Sequence, residues 1–559
     1  MPAILDRLSP RVVYTSRWGC PAIPDVTDPQ AGPDASASLQ ALADLARSGP
    51  LEVVVDQPLL CNQISLYSGT TIRGLYPGSY RPGDAAPPGI GLWMKRLPAS
   101  GAGAGNTCVL RNAHWASNYD GASSSLSVSR VVDRDIAIRH LFIDGQRRNG
   151  VSNSSYGGSN VPQVNVNGEY IIPLRFHGMY NLLVEDVHIY DPCMLHTAFS
   201  NIAWSTFRDL HFCDPSYWQG NYAGGSNQTD GLHFVGPASD IEIDGLYGAT
   251  GDDFLALNFA EGNLNPTDIY PPTNISGAGP HVWGGWPVVY YGDGLRINAR
   301  NLYPYNAADV MRIQTLQDNQ AGLRGNVVDQ VTVSDVRGSV IEGLLQSDSY
   351  GYGTPGGHVG RVTLRDWDVT FLPDPAYVCG YQFYGQWNDV RIINHHYGDP
   401  ASAALQVNLI SGASVGRLEL RDHVIREDAS GAPAPPPPIL VADGAVDELV
   451  VADSGWYRAA ATNQAFVSVT GGSVNRLALR GASTNNLANV VSWTGGTVGE
   501  VGLDLVRHRN PDGAGPAGGA ILNVGSGLTL PLLVTCGATA AAVIGTSAGA
   551  VAATRTGGI

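Results

Sequence analysis

The chain has 559 residues, a formal net charge of −16, 43% hydrophobic residues, 69 glycines and only 15% charged residues. The negative surplus argues against nucleic acid and anionic membrane surfaces as partners, and no apolar run is long enough to span a membrane. Many glycines with few charges point to short strands and tight turns rather than long solvated helices.

The first residues, Met1-Pro2-Ala3-Ile4-Leu5, lack a basic start followed by an apolar run, so no secretion signal is expected. One early stretch, residues 36–47, has helical spacing. Asp34 or Ser36 is placed to cap it, and Leu39, Leu42 and Leu45 fall on one face. Beyond it a short motif recurs: apolar/polar alternation, then a polar or glycine corner. It is seen from Ile136, Leu183, Thr206, Ile241, Leu295, Val331, Val362, Val390, Leu418, Leu449 and Leu477. Starts are mostly about 23 to 36 residues apart, with two wider gaps, 136 to 183 and 241 to 295. Period-two alternation over so short a stretch reads as a strand with one buried face. Repetition at this interval reads as a solenoid whose ends need capping. The expected fold is all-β: a right-handed parallel β-helix with a short N-terminal capping helix.

Four segments are expected: 1–33 for attachment or capping, 34–400 for the β-helix with the catalytic region, 401–511 for further coils, and 512–559 as an Ala/Gly-rich end. From about residue 401 the repeat tightens around Val415, Val446, Val474 and Val498. The end segment is nearly uncharged and reads either as a loose tail or as a contact between subunits. The seven cysteines are scattered without CxxC spacing, so neither a zinc site nor a disulfide framework is expected. Cys193 and Cys213 are expected to be buried and stacked in neighbouring coils. Lys95 is the only lysine, which leaves arginine as the main cation.

The chemistry concentrates in Gln228-Thr229-Asp230-Gly231 and Gly251-Asp252-Asp253-Phe254. Asp230 and Asp252 are 22 residues apart, near the shortest repeat interval. One coil of a solenoid would bring Asp230, Asp252 and Asp253 onto one patch. Glycosidic hydrolysis needs such carboxylates, one to protonate the leaving oxygen and another to activate water or attack. Clustered carboxylates also favour keeping one proton among them. A single Asp at a strand corner is usually a turn cap; three in one-coil register with these motifs favour the functional reading. Four strand histidines, His177, His188, His196 and His233, show no metal-binding spacing and read as ordinary strand residues. Neither a cofactor nor a metal is called for, although hard oxygen donors would suit calcium.

Asp34, Leu39-Gln40 and the turn Ser68 to Gly74 resemble the start of the pectate-lyase-like superfamily. From about Pro173 to Thr315 the motif order resembles the polygalacturonase family of glycoside hydrolases. Thr229-Asp230-Gly231 stands for its Asn-Thr-Asp-Gly motif, Gly251-Asp252-Asp253 for Gly-Asp-Asp, and Arg312-Ile313-Gln314 for Arg-Ile-Lys. The resemblance implies that Asp252 is the general acid, that Asp230 and Asp253 position or activate water, that Arg312 binds substrate, and that the anomeric centre inverts. The family's Gly-His-Gly motif is not evident. An insertion, residues 259–292, carries His281, which could replace the histidine, and Trp283, Trp286, Tyr290 and Tyr291, which could either stack on sugar rings or pack the loop onto the solenoid. Gln314 stands where the family has lysine, which speaks against a uronate polymer.

With no export signal and free thiols, the chain also resembles bacteriophage tailspikes, which leave the host by lysis. That reading implies a homotrimer on the virion tail, attached to tail or baseplate through its N-terminus, that hydrolyses capsule, lipopolysaccharide or exopolysaccharide. Two alternatives stand beside it: a β-helical protein that binds glycans or builds the virion without cleaving, and a secreted, pectin-degrading polygalacturonase-like enzyme.

Overall fold

A computed structural model describes residues 10–75, 88–98, 106, 108–114, 133–147, 171–220, 229–235, 237–259, 282–283, 286–287, 293–315, 327–347, 357–372, 379–397, 407–409, 412–427, 439–458, 464–485, 487–509, 520–536, 544–546 and 550–556. The expected parallel β-helix and its capping helix are both present. The chain forms two compact units. The first comprises Met1–Asn298 with Tyr303–Ala307, and the second Ala299–Leu302 with Ala308–Ile559.

In the first unit Arg11–Tyr14 pairs in parallel with Leu51–Val55, which pairs in turn with Thr70–Gly74. The ladder continues through Asp133–Asp144, Leu174–Tyr190, Thr197–Cys213 and Ala238–Ala249. A second ladder runs beside it: residues 174–177 pair with 197–200, Phe199 with Phe234, and Leu232–Phe234 with Asp253–Asn258. Alternation puts one residue in two inside. Phe176, Phe199 and Phe234 therefore form an internal column with ring centroids 6.1 Å apart. Removing one such ring would cost roughly 3–5 kcal/mol.

The second unit repeats the plan from Val327–Gln346 through His358–Phe371, Gln386–Tyr397, Ser414–Arg421, Ala445–Ala452, Ser473–Arg480 and Thr497–Asp504. The described part of the Ala/Gly-rich end continues these coils. Leu532–Cys536 pairs with Thr497–Asp504, and Thr554–Thr556 pairs with Leu532–Cys536. Outside, Arg417, Glu448, Arg476 and Glu500 alternate in sign along successive coils, at 3.5, 2.8 and 3.5 Å.

The recurring polar corner has a backbone cause. His140, Asp186, Asp209 and Gly245 hold equivalent places in the first unit and all have positive φ. Asp335, Asp366, Asn394 and Asp422 do the same in the second. A single left-handed residue kinks each coil, and Asn, Asp and Gly tolerate that conformation best. Most Asp residues of the repeat are therefore structural. Leu505 takes the same conformation at φ 50° while 57% exposed. Leu505→Asn is expected to stabilise the fold by about 1 kcal/mol, read as a higher urea midpoint.

The helix spans Ser36–Ala43, and Leu39, Leu42 and Ala43 are buried. Leu45 falls just past it, half-buried in the 3-10 turn Asp44–Ser48. Asp34 accepts from Ser36 N at 2.9 Å and caps the helix start. Gln40 donates to Ser65 O at 3.2 Å and accepts from Ser65 N at 2.8 Å, docking the helix on a strand edge. The lone lysine serves this cap: Lys95 Nζ lies 2.6 Å from Asp34. Two further helical turns, Thr15–Trp18 and Pro215–Trp218, were not legible as amphipathic repeats because each is only four residues long.

One expectation about the thiols fails. Cys193 and Cys213 are both buried and neither is in a disulfide, but they do not stack. Cys213 is in register with Tyr190, while Cys193 lies beyond the strand end and donates to Gly145 O at 3.3 Å.

Candidate active site

The three acidic residues meet at the corner that leads into Leu232–Phe234 and Asp253–Asn258. Asp230, Asp252 and Asp253 each offer one carboxylate oxygen, and these lie within 4.8 Å of one another. The register differs from the sequence expectation by one residue. Leu232 pairs with Leu255, so the local interval is 23 and Asp230 stands level with Asp253. Asp252 occupies the corner just before that level. Asp230 and Asp253 are buried and Asp252 is half-buried, so the patch is largely sheltered from solvent.

Each motif residue beside the acids has a mechanical task. Thr229 is buried; its Oγ1 donates to Asp214 at 2.9 Å and accepts from Gly251 N at 2.7 Å, tying both acidic motifs together. Asp214 is itself buried, 3.4 Å from Arg147, and accepts from Ser216 N at 2.9 Å to cap Pro215–Trp218. Gly231 N donates to Asp253 O at 2.9 Å. A Cβ on Gly231 would lie 2.6 Å from Phe254 O and 2.8 Å from the Phe212 ring, which explains the glycine after Asp230. Thr250 Oγ1 donates to Asp252 O at 3.0 Å and steadies the corner.

Two histidines read from sequence as ordinary strand residues belong to this site. His233 Nδ1 lies 2.6 Å from Asp230 Oδ2. His196 donates from its backbone N–H and from Nδ1 to the Asp230 carbonyl, each at 2.8 Å. Because a carbonyl only accepts, the proton of the neutral His196 ring sits on Nδ1. Burial pulls the titration of this ring down to about 4 against the pull of Asp230 and Asp214, so it is neutral at ordinary pH. Its position 34 residues before Asp230 carries no spacing signal. His233, three residues after Asp230, would fall on the opposite face of a straight period-two strand; the bend at Gly231 brings it back to the acid, so its spacing carried no signal.

Arg312 is buried on Ala307–Gln314 of the second unit, 3.7 Å from Asp309, which also accepts from Gln346 at 3.2 Å. Gln314 is buried on the same strand. Trp283 and Trp286 are register partners in a two-stranded antiparallel pair. His281, Tyr290, Tyr291 and Gln228 lie outside the described residues.

Fold and site together define a parallel β-helix with a three-carboxylate corner held by buried hydrogen bonds. No protein-family model and no curated protein matches the chain. Its fold is similar to that of a tailspike protein of E. coli bacteriophage HK620 in complex with pentasaccharide: 11% identity, 97% of this chain and 78% of that chain covered, TM-score 0.50. A family 28 exopolygalacturonase from Yersinia enterocolitica also matches, at 12% identity over 89% of this chain and 78% of that one, with a TM-score of 0.48. At such identities the likeness is one of fold.

Proposed function

We propose that the protein is a polysaccharide depolymerase that hydrolyses glycosidic bonds of a bacterial surface glycan. The observation that carries this reading is the approach of three carboxylates to within 4.8 Å at one corner. Carboxylates at that range can place a proton donor and a water-holding base on the same bond, as glycosidic hydrolysis requires. Asp252, the most accessible of the three, donates to the leaving oxygen. Asp230 and Asp253 hold the attacking water, and the His233 contact orients Asp230. One displacement by that water inverts the anomeric centre. The oxygens are closer than the roughly 6.5–9.5 Å typical of inverting carboxyl pairs, so the water sits against Asp230 and Asp253 together rather than in a gap. The tailspike that shares the fold was crystallised with a pentasaccharide, which supports a glycan as substrate. We place the protein on a virion tail as a homotrimer attached through its N-terminus. Arg312 and the aromatic insertion are proposed substrate contacts.

The test is release of new reducing ends from a panel of purified capsules, lipopolysaccharides and exopolysaccharides, in the presence of EDTA. Release from one of them is expected, because the carboxylates act directly rather than through a cation. Binding without release from any of them would leave the protein a glycan-binding β-helix.

A further inference from the structure

A second feature of the first unit lies a few residues from the acids. His188, His211, Tyr247 and Tyr303 occupy the same place on successive coils and stack outside the solenoid. Successive ring centroids are 4.0, 4.7 and 4.9 Å apart, with interplanar angles of 6°, 15° and 4°. Such a stack covers its own faces and presents a row of polar ring edges. Opposite stands Trp218, carried by the turn Pro215–Trp218, with Tyr305 against it at 4.6 Å. Between them is a partly open cavity of about 390 Å3, within the roughly 300–1,000 Å3 of ordinary ligand sites. Its floor includes Gly248, at φ 129°, where a Cβ would fall 1.8 Å from Phe212 O. No other residue could keep that floor open.

We propose that this cavity is a subsite for an uncharged sugar residue of the glycan. The proposal rests on reading the neighbouring acids as a glycan-cleaving site. Gly248 is four residues before Asp252, and four residues span at most about 14 Å. Cys213, in the cavity wall, precedes Asp214, which holds Thr229 beside Asp230. A chain of a few sugar units therefore bridges cavity and acids. The lining combines flat apolar bodies with hydroxyl and imidazole edges, which suits the mixed faces of a pyranose.

Charge selects the kind of sugar. The lining holds neither Lys nor Arg. Asp186 and Asp209 stand beside the stack, and burial together with the nearby Asp244 and Asp186 raises Asp209 above the usual carboxylate range. An anionic sugar would meet like charge here with no Lys or Arg in the lining to offset it. A metal is not the better occupant. Asp186, His188 and His211 have ligand atoms within 4.8 Å, yet the two imidazoles are parallel to within 6°, so their lone pairs run side by side instead of converging.

The test is saturation-transfer NMR on the full chain carrying Asp252→Asn. The probes are neutral hexoses, 6-deoxyhexoses and N-acetylhexosamines, with hexuronates as the charged comparison. Neutral sugars are expected to receive saturation, and hexuronates at least tenfold less. Tyr305→Ala, a change at a half-exposed ring, and Tyr303→Phe, which removes only a hydroxyl, are each expected to reduce the neutral signal at least threefold. Saturation of hexuronates alone, of no sugar, or of neutral sugars equally in both variants would overturn the proposal. Neutral binding here without cleavage of any glycan by the wild type would sink the depolymerase reading and leave the subsite standing.

Discussion

Asp252→Asn is expected to lower turnover by about a thousandfold or more, with glycan affinity nearly unchanged. Loss of a general acid alone is worth roughly 10²–10⁴ in rate. The amide keeps the shape of the side chain, and the Asp252 carbonyl, which Thr250 contacts at 3.0 Å, is left intact. Folding should therefore survive, and the unfolding midpoint should stay within a degree or two. Asp230→Asn is expected to be as inactive but less stable, because it alters a buried carboxylate 2.6 Å from His233. A merely structural cluster would give the same stability ranking but no loss of turnover in Asp252→Asn beyond what instability explains.

A steep loss of stability in mild acid is the second large effect expected. His196 in the first unit and His423 in the second are fully buried, and burial pulls their titrations to about 4 and about 3. His395, stacked on Trp367 at 4.9 Å, is lowered in the same way by burial and by its histidine neighbours. An unfolded histidine takes its proton near 6.5. Between about 6.5 and 3 the unfolded chain therefore binds more protons, and stability must fall with pH. It is complete above about 6.5 and lost progressively below. The sum is on the order of 5 kcal/mol, a large part of the roughly 5–15 kcal/mol of a typical domain. Asp186, pulled to about 2 by its bond to His188 and then by His140, adds a loss only below the ordinary carboxylate range. Urea midpoints at pH 8 and pH 5 check this, with a clear fall expected at pH 5. His423→Gln should flatten the profile, and an unchanged midpoint would refute the histidine account.

The coil plan was legible because alternation and corner residues leave a mark every 23 to 36 residues. The left-handed residue at each corner restricts its identity, so Asp, Asn and Gly recur there for backbone reasons. That regularity also misled. Counting from motif to motif gave 22, whereas strand pairing set 23 and placed Asp253 opposite Asp230. The one-residue difference lies in how the corner is turned, and no local propensity reports it. Cys193 and Cys213 were mismatched for a related reason: one ends a strand and the other follows a strand end. His196 reaches Asp230 only through the closing of a full coil. The aromatic stack had a readable signal: His188, His211, Tyr247 and Tyr303 each lie two residues after the corner at 186, 209, 245 and 301. Aligning coils on that corner, rather than on the acids, reveals the stack.

The central claim is that the acids at this corner add water across a glycosidic bond. Cleavage of a susceptible glycan in ¹⁸O-labelled water tests it most directly. The account predicts one ¹⁸O at each new reducing-end anomeric carbon, no 4,5-unsaturated product, and an inverted first-formed anomer. Unlabelled ends with unsaturated sugars would mean elimination, and labelled cleavage persisting at full rate in Asp252→Asn would place the chemistry elsewhere.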